Sequence, residues 1–292
     1  MDRYPNFVSV DCGRLSVQVV PALANHLIPN LVADPDDFFG LPGCQVIKDQ
    51  RKIKVARVRI EIQGEAKTIY IKRYNMCSWR YRLVSWFQSS GAVRSLKGAA
   101  VLAESGIWTA RCLAAIEARS WGMLQRSFFL SEEIPGGKTA DAYWQEELIP
   151  MKGTEGMRRR RRFLRELGAL FNSLHQQNVY HNDLKDANIL VRPDSSGRGE
   201  LFYLLDLEGI RRYRKLNRRR RIKNLVQLHR TLGQYLRRPD KLRFLASYLG
   251  PLFSSEARAW VRRVLRQSNK LERLRQVKIS SVAITGNAAH ES

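Results

Sequence analysis

The stretch Val179-Tyr-His-Asn-Asp-Leu-Lys-Asp-Ala-Asn-Ile-Leu-Val191, taken with Leu204-Leu-Asp-Leu-Glu-Gly209 downstream, constrains this chain more than any other. It places an aspartate (Asp183), a lysine two positions on (Lys185) and an asparagine five positions on (Asn188) in a polar loop between apolar runs. A second aspartate, Asp206, ends the next apolar run. Ahead of the loop, Met157 to Gln176 carries Phe163, Leu164, Leu167, Leu170, Phe171 and Leu174 at helical spacing. The pattern is therefore a long amphipathic helix followed by strand, loop and strand, with Pro193 to Gly199 as the turn.

That spacing is the one by which a phosphotransferase assembles base, phosphate contact and metal ligands. Phosphoryl transfer needs the nucleotide clamped, metal charge on its phosphates, and the acceptor hydroxyl held in line with its proton taken. Asp183 is the candidate base, and Lys185 reaches the transferred phosphate. Asn188 offers its amide oxygen to a magnesium ion, and Asp206 supplies the main metal carboxylate. His181 is read as a packing element of the loop, without a proton-transfer role. A cation is also needed on the α and β phosphates. Lys72, in Tyr70-Ile-Lys-Arg-Tyr74, fits that need, although alone it reads as an ordinary exposed strand lysine.

The rest of the chain predicts an α+β fold. Residues 1–40 give no clean period and read as an N-terminal extension. Gln45 to Lys48, Ile53 to Ile62 and Lys67 to Tyr74 alternate and are rich in β-branched residues, which predicts three antiparallel strands. Val93 to Glu104 reads as a helix with Gly106 just past its end, and Arg111 to Glu117 and Trp121 to Leu130 as two further strands. Ser131-Glu-Glu-Ile-Pro-Gly-Gly137 is the strongest break. Beyond it, Ala140 to Leu148, Leu225 to Leu236, Lys241 to Tyr248 and Ser255 to Leu274 are helical. The expected division is a small antiparallel-sheet lobe with one main helix (41–134), a larger mainly helical lobe (135–280) and a flexible tail (281–292).

Charge narrows the partners. Of 292 residues, 51 are Lys or Arg and 27 Asp or Glu, a net charge of +24, which favours an anionic partner. Basic residues concentrate in Arg158 to Arg162 and Arg211 to Lys223, where they read either as a surface for anionic membrane or as solvated helix faces. Met76 to Gly91 mixes Trp79, Tyr81, Leu83, Trp86 and Phe87 with Arg80 and Arg82, which suits a packed helix start or a membrane interface. The arginine runs lack interleaved aromatics and any reader motif, which disfavours nucleic acid. Cys12, Cys44, Cys77 and Cys112 are scattered and read as reduced thiols. With no leader-like start and no long apolar run, a cytosolic protein is expected, one able to lie against a membrane without crossing it.

The chain resembles the bacterial lipopolysaccharide kinase family, the Kdo and heptose kinases of the inner core, over roughly residues 40 to 275. The resemblance rests on Ile69-Tyr-Ile-Lys72, Ser105-Gly-Ile-Trp-Thr109, Tyr180-His-Asn-Asp-Leu-Lys185 with Asn188, Leu205-Asp-Leu-Glu-Gly209 and Arg218-Arg-Arg-Arg-Ile-Lys-Asn-Leu225. It implies a bilobal protein-kinase-like fold. It also implies ATP- and Mg2+-dependent phosphorylation of a sugar hydroxyl on a lipid-linked lipopolysaccharide core acceptor, by an enzyme peripheral on the cytoplasmic side of the inner membrane. Glu208 is similar to a second acidic residue in the family and is either a metal assistant or an exposed turn residue. The chain departs from the wider kinase pattern in several places. Lys48-Asp-Gln-Arg-Lys52 has no glycine, the helix after Lys72 offers a carboxylate only at Glu104, and Asn182 replaces an arginine. Alternatives from the same residues are a protein-kinase-like enzyme with another acceptor and a non-catalytic nucleotide- or lipid-binding scaffold.

Overall fold

Period-two alternation governs the first part of the chain. The computed structural model describes residues 7–21, 23–24, 34–62, 64–76, 86, 88–196 and 199–288, and the mixed aromatic and arginine run over 77–85 with Phe87 lies outside them. Strands β1 (Val8–Cys12), β2 (Leu15–Val19), β3 (Gln45–Gln50), β4 (Ile53–Ile62), β5 (Glu65–Asn75), β7 (Cys112–Ser120) and β8 (Met123–Glu132) form one antiparallel sheet in the order β1-β2-β7-β8-β5-β4-β3, with β6 (Trp108–Thr109) apart from it. Alternate residues of neighbouring strands, among them Val17, Val58, Ile69, Ile71, Ile116 and Phe128, meet in one core at almost no exposure. Each fully buried aliphatic or aromatic side chain there contributes about 1.5–3 kcal/mol.

The first forty residues contribute structure that no periodic signal announces. β2 pairs with β7 through Val17↔Ile116 and Val19↔Ala114, nearly a hundred residues away. A 3-10 turn over Pro35–Gly40 then buries Phe38 in the same core. Asp34 caps that turn by accepting from the Asp36 amide at 2.9 Å. Asp36 holds Arg73 at 2.6 Å and also pairs with Arg126.

Helix α1 (Gly91–Glu104) starts at Ser90, whose hydroxyl accepts from the Val93 amide at 3.1 Å, and ends before Gly106 at φ 66°. Its buried stripe is small: Gly91, Ala92, Ser95, Gly98 and Ala99, with Leu102. A methyl group at Gly91 would lie 2.6 Å from the Tyr74 ring, and one at Gly98 2.2 Å from the Leu207 carbonyl oxygen. Two absent side chains thus set how closely the helix approaches strand β5 and the segment after Asp206.

The chain divides into two compact units, Met1–Gly137 with Leu201–Arg212, and Lys138–Glu200 with Tyr213–Ser292. The second unit opens on β9 (Lys138–Thr139) and a helical stretch whose Tyr143–Leu148 part widens into a π turn, burying Tyr143, Trp144 and Leu148. Helix α2 (Gly153–Gln176) buries Phe163, Leu164, Leu167, Phe171 and Leu174 of the stripe read from its spacing, leaving Leu170 half-buried, and Gly168 lets it cross the Phe244 backbone closely. β10 (Val179–His181) and β11 (Ile189–Pro193) flank the polar loop, and β11 pairs with β9. β12 (Glu200–Leu204) and β13 (Ile210–Arg212) carry the return to the first unit. Helices α3 (Arg218–Arg230), α4 (Arg238–Leu249) and α5 (Phe253–Ala288) complete the second unit.

α3 begins inside the arginine run. Four cations in a first turn oppose the helix dipole. Asn217 compensates by accepting from the Arg220 amide at 3.0 Å, and Arg218 pairs with Glu256 at 2.9 Å while lying over the Trp260 ring. Among the described residues no helix is long and apolar enough to cross a membrane, and Cys44 and Cys112 are free thiols.

Candidate active site

Each unit carries one group of the residues singled out from the sequence. In the first unit, alternation along β5 turns Ile69 and Ile71 into the core and Lys72 to the opposite face. The Lys72 ammonium lies 2.5 Å from Asp206 Oδ1 and 4.9 Å from the Tyr74 ring centre. Burial works against its charge, but Tyr74, Asp206 and Glu208 outweigh burial and hold it above the ordinary lysine value. Tyr74 is itself pushed up to about 12 by burial, and its hydroxyl bonds the Ser95 hydroxyl of α1 at 2.9 Å.

Asp206 is brought there by β12, which pairs in parallel with β6 through Leu204↔Thr109, while the Thr109 hydroxyl donates to the Leu204 carbonyl at 2.7 Å. It adopts a left-handed backbone, φ 56° and ψ 56°. A non-glycine residue there costs about 1–3 kcal/mol, and the short carboxylate of Asp is among the side chains that tolerate it best. Glu208, on the 3-10 turn that follows, pairs with Arg94 of α1 at 3.5 Å and is neither bare nor fully exposed. The carboxylate expected on α1 for Lys72 is not used: Glu104 binds Arg212 at 2.5 Å, and Asp206 takes its place as the partner.

The second unit holds Asp183, Lys185 and Asn188 together. The Lys185 ammonium is 2.7 Å from Asp183 Oδ2, and Asn188 Nδ2 donates to the Asp183 carbonyl at 2.7 Å and to its Oδ2 at 3.2 Å. A 3-10 turn over Asp186–Asn188 makes this approach possible. With its nitrogen engaged, Asn188 has its oxygen left for a cation. Asp183 remains accessible, its side chain 42% exposed, as a base for an incoming hydroxyl must be.

Residues outside the base, phosphate and metal roles hold this loop. His181 is fully buried and its Nδ1 accepts from the Asp183 amide at 3.1 Å, a structural role. From α3, Asn224 Nδ2 donates to the His181 carbonyl at 2.6 Å. Gln227 donates to the Asn182 carbonyl at 2.8 Å and accepts from the Leu184 amide at 3.2 Å. Behind Asn224, its Oδ1 meets His175 Nε2 at 3.1 Å, and His175 Nδ1 meets the Tyr248 hydroxyl at 2.9 Å. Burial lowers His175 to about 4, so it is neutral and anchors α3 to α2 and α4 without carrying charge. Buried polar groups of this kind rigidify only when each is satisfied. The one sequence signal for them is that His175 and Asn224 interrupt otherwise apolar helix faces.

Taken separately, the left-handed Asp206 beside a cation in the first unit and, in the second, an asparagine with its amide oxygen to spare are each oxygen donors of the kind a magnesium ion takes. Among the described residues there is no cluster of three or more His, Cys, Asp or Glu. No curated protein matches the chain in sequence. Among solved structures, it is similar to one titled "WaaP in complex with acyl carrier protein", at 22% identity and a TM-score of 0.60, over 82% of this chain and 92% of that one. This likeness shows a shared α+β, kinase-like fold. The family model described as "Lipopolysaccharide kinase (Kdo/WaaP) family" matches residues 46–248. With most of its length matched, from β3 to the end of α4, the chain belongs to the lipopolysaccharide kinase (Kdo/WaaP) family.

Proposed function

We propose that this kinase transfers the γ-phosphoryl group of ATP, with Mg2+, to a Kdo or heptose hydroxyl of a lipid-linked lipopolysaccharide inner core at the cytosolic face of the membrane. Membership of the family implies a kinase and hence ATP. The observation that carries the reaction is the Asp183 loop, in which base carboxylate, lysine and asparagine lie within hydrogen-bond distance of one another.

In this reading the acceptor oxygen forms a bond to the γ-phosphorus as the bond to the β–γ bridging oxygen breaks and ADP leaves. Asp183 takes the hydroxyl proton. Lys185 offsets charge on the transferred group, and Lys72 sits on the nucleotide's inner phosphates. Asn188 and Asp206, assisted by Glu208, would hold the magnesium, which neutralises phosphate charge. The basic residues of α2 and α3 and the arginines after Asp206 hold the enzyme to anionic lipid, each cation near the surface contributing about 1 kcal/mol.

The test offers labelled ATP and magnesium with purified lipopolysaccharide core, dephosphorylated core sugar and a generic protein substrate side by side. Label in the core fraction is the expected result. Label in the protein alone would reassign the acceptor, and label in neither would remove the activity. Sedimentation with anionic vesicles, reversed by high salt, reads the membrane role; equal recovery on neutral vesicles counts against it.

A further inference from the structure

We propose that an open cationic groove on the first unit, walled by α1 and the residues that follow Asp206, binds a phosphoryl group and couples its occupancy to the segment carrying Asp206 and Glu208. The groove has a volume of about 880 Å³ and is lined by Arg94, Lys97 and Val101 of α1, by Ile210, Arg211 and Arg212, and by the chain just before α1.

Four cations converge there, and two carboxylates meet them. Arg94 pairs with Glu208 at 3.5 Å and Arg212 with Glu104 at 2.5 Å. Lys97 and Arg211 make no ion pair among the described residues. The Lys97 ammonium reaches the Ser89 hydroxyl at 3.2 Å, and one Arg211 nitrogen donates to the carbonyls of Glu208 at 2.9 Å and Ile210 at 2.8 Å. A solvated helix face spreads its cations over convex surface. Here an i, i+3 pair on α1 faces two further arginines across a concavity, and a concave site with an excess of positive charge concentrates the field. Arg211 is exposed and tethered through one nitrogen to two carbonyls, which lowers the ordering cost of binding. Guanidinium forks match phosphoryl oxygens in geometry.

The same contacts supply the coupling. An anion on Arg94 competes with Glu208 for that guanidinium. Arg211 is bonded to the Glu208 backbone, and Gly98 presses α1 against the Leu207 carbonyl. Filling the groove therefore changes the partner of the acid two residues from Asp206. The functional consequence rests on the kinase reading; the binding does not. A phosphoryl group on the sugar acceptor and a lipid headgroup share this chemistry.

The full chain is titrated with inorganic phosphate at constant ionic strength, followed by calorimetry, and is sedimented with phosphatidate vesicles. Saturable binding of at least one probe is expected, tenfold or more weaker in Lys97→Ala/Arg211→Ala and unchanged in Lys270→Ala, an exposed cation of α5 outside the groove. The exposed Lys97→Ala alone gives a smaller loss in the same direction if the double variant misfolds. Phosphate alone assigns the groove to a free or sugar-borne group, and vesicles alone to a headgroup. No saturable binding of either probe, or binding indifferent to the groove variants, overturns the proposal. Intact binding without phosphoryl transfer would instead sink the kinase reading and leave the groove standing.

Discussion

The two units hold their functional groups by different physics. In the first, Lys72 and Asp206 are set by one charge-charge contact and by a helix brought close through missing side chains at Gly91 and Gly98. In the second, the Asp183 loop hangs on neutral amides and a buried imidazole, with the His181 and Asn182 carbonyls and the Leu184 amide answered by side chains of α3. The first arrangement depends on steric room and on one ion pair. The second depends on every hydrogen bond being made, so one lost group or one added proton is felt throughout.

Asp183→Asn should have the largest effect, since it removes the proposed base while keeping the Asn188 and Lys185 neighbours. A fall in kcat of about 10²- to 10⁴-fold is expected with ATP binding retained, read by steady-state kinetics beside nucleotide titration. Activity within a few-fold of wild type would leave the second unit without its assigned role.

Acidification should loosen the second unit's anchoring next. His175 titrates at about 4 in the fold against about 6.5 when unfolded. Between those values the unfolded chain binds more protons, so this contribution is complete above about 6.5 and is lost as pH falls toward 4. The buried ring corresponds to about 3 kcal/mol. Glu166, raised to about 7 by burial beside Glu200, acts in the opposite sense, losing stability as pH rises from about 4.5 to 7. Comparing urea midpoints at pH 7 and pH 4.5 for wild type and His175→Gln isolates the imidazole. Parallel curves would break the comparison.

Gly98→Ala probes the first unit's dependence on room. The added methyl meets the Leu207 carbonyl at a distance no packed atom occupies, and about 1–3 kcal/mol of destabilisation is expected, with weaker ATP binding as the Asp206 segment shifts. Asn224→Ala is the matching cut in the second unit. It removes the Asn224 bonds to the His181 carbonyl and to His175 Nε2, costing about 1–3 kcal/mol, and should lower kcat while leaving the KM for ATP near its original value. Were Asn224→Ala to change that KM as much as Gly98→Ala does, the division of labour drawn above would fail.

The Asp183 loop was legible because its parts lie within six residues of one another, and spacing alone brings them together. Lys72 was legible only through that loop. Its partner was sought on α1, where Glu104 stands at the last turn, and found 134 residues away at Asp206, a pairing that no local pattern encodes. The small stripe on α1 looks in sequence like ordinary helix-forming composition, and only the close Leu207 backbone gives Gly98 its meaning. The hairpin β1–β2 escaped for a similar reason: Leu15 to Val19 alternates, but a single short alternating run acquires significance from the distant β7 it pairs with.

The left-handed backbone at Asp206 also dictates how that residue can be interrogated. Alanine there would add backbone strain to the loss of charge, so a dead variant would speak for either. Asparagine shares aspartate's tolerance of that conformation and its shape, removing the charge alone, while glycine relaxes the backbone and removes the side chain. Asp206→Asn and Asp206→Gly together therefore separate what the carboxylate does from what the turn does, a distinction that an alanine scan of the same position would erase.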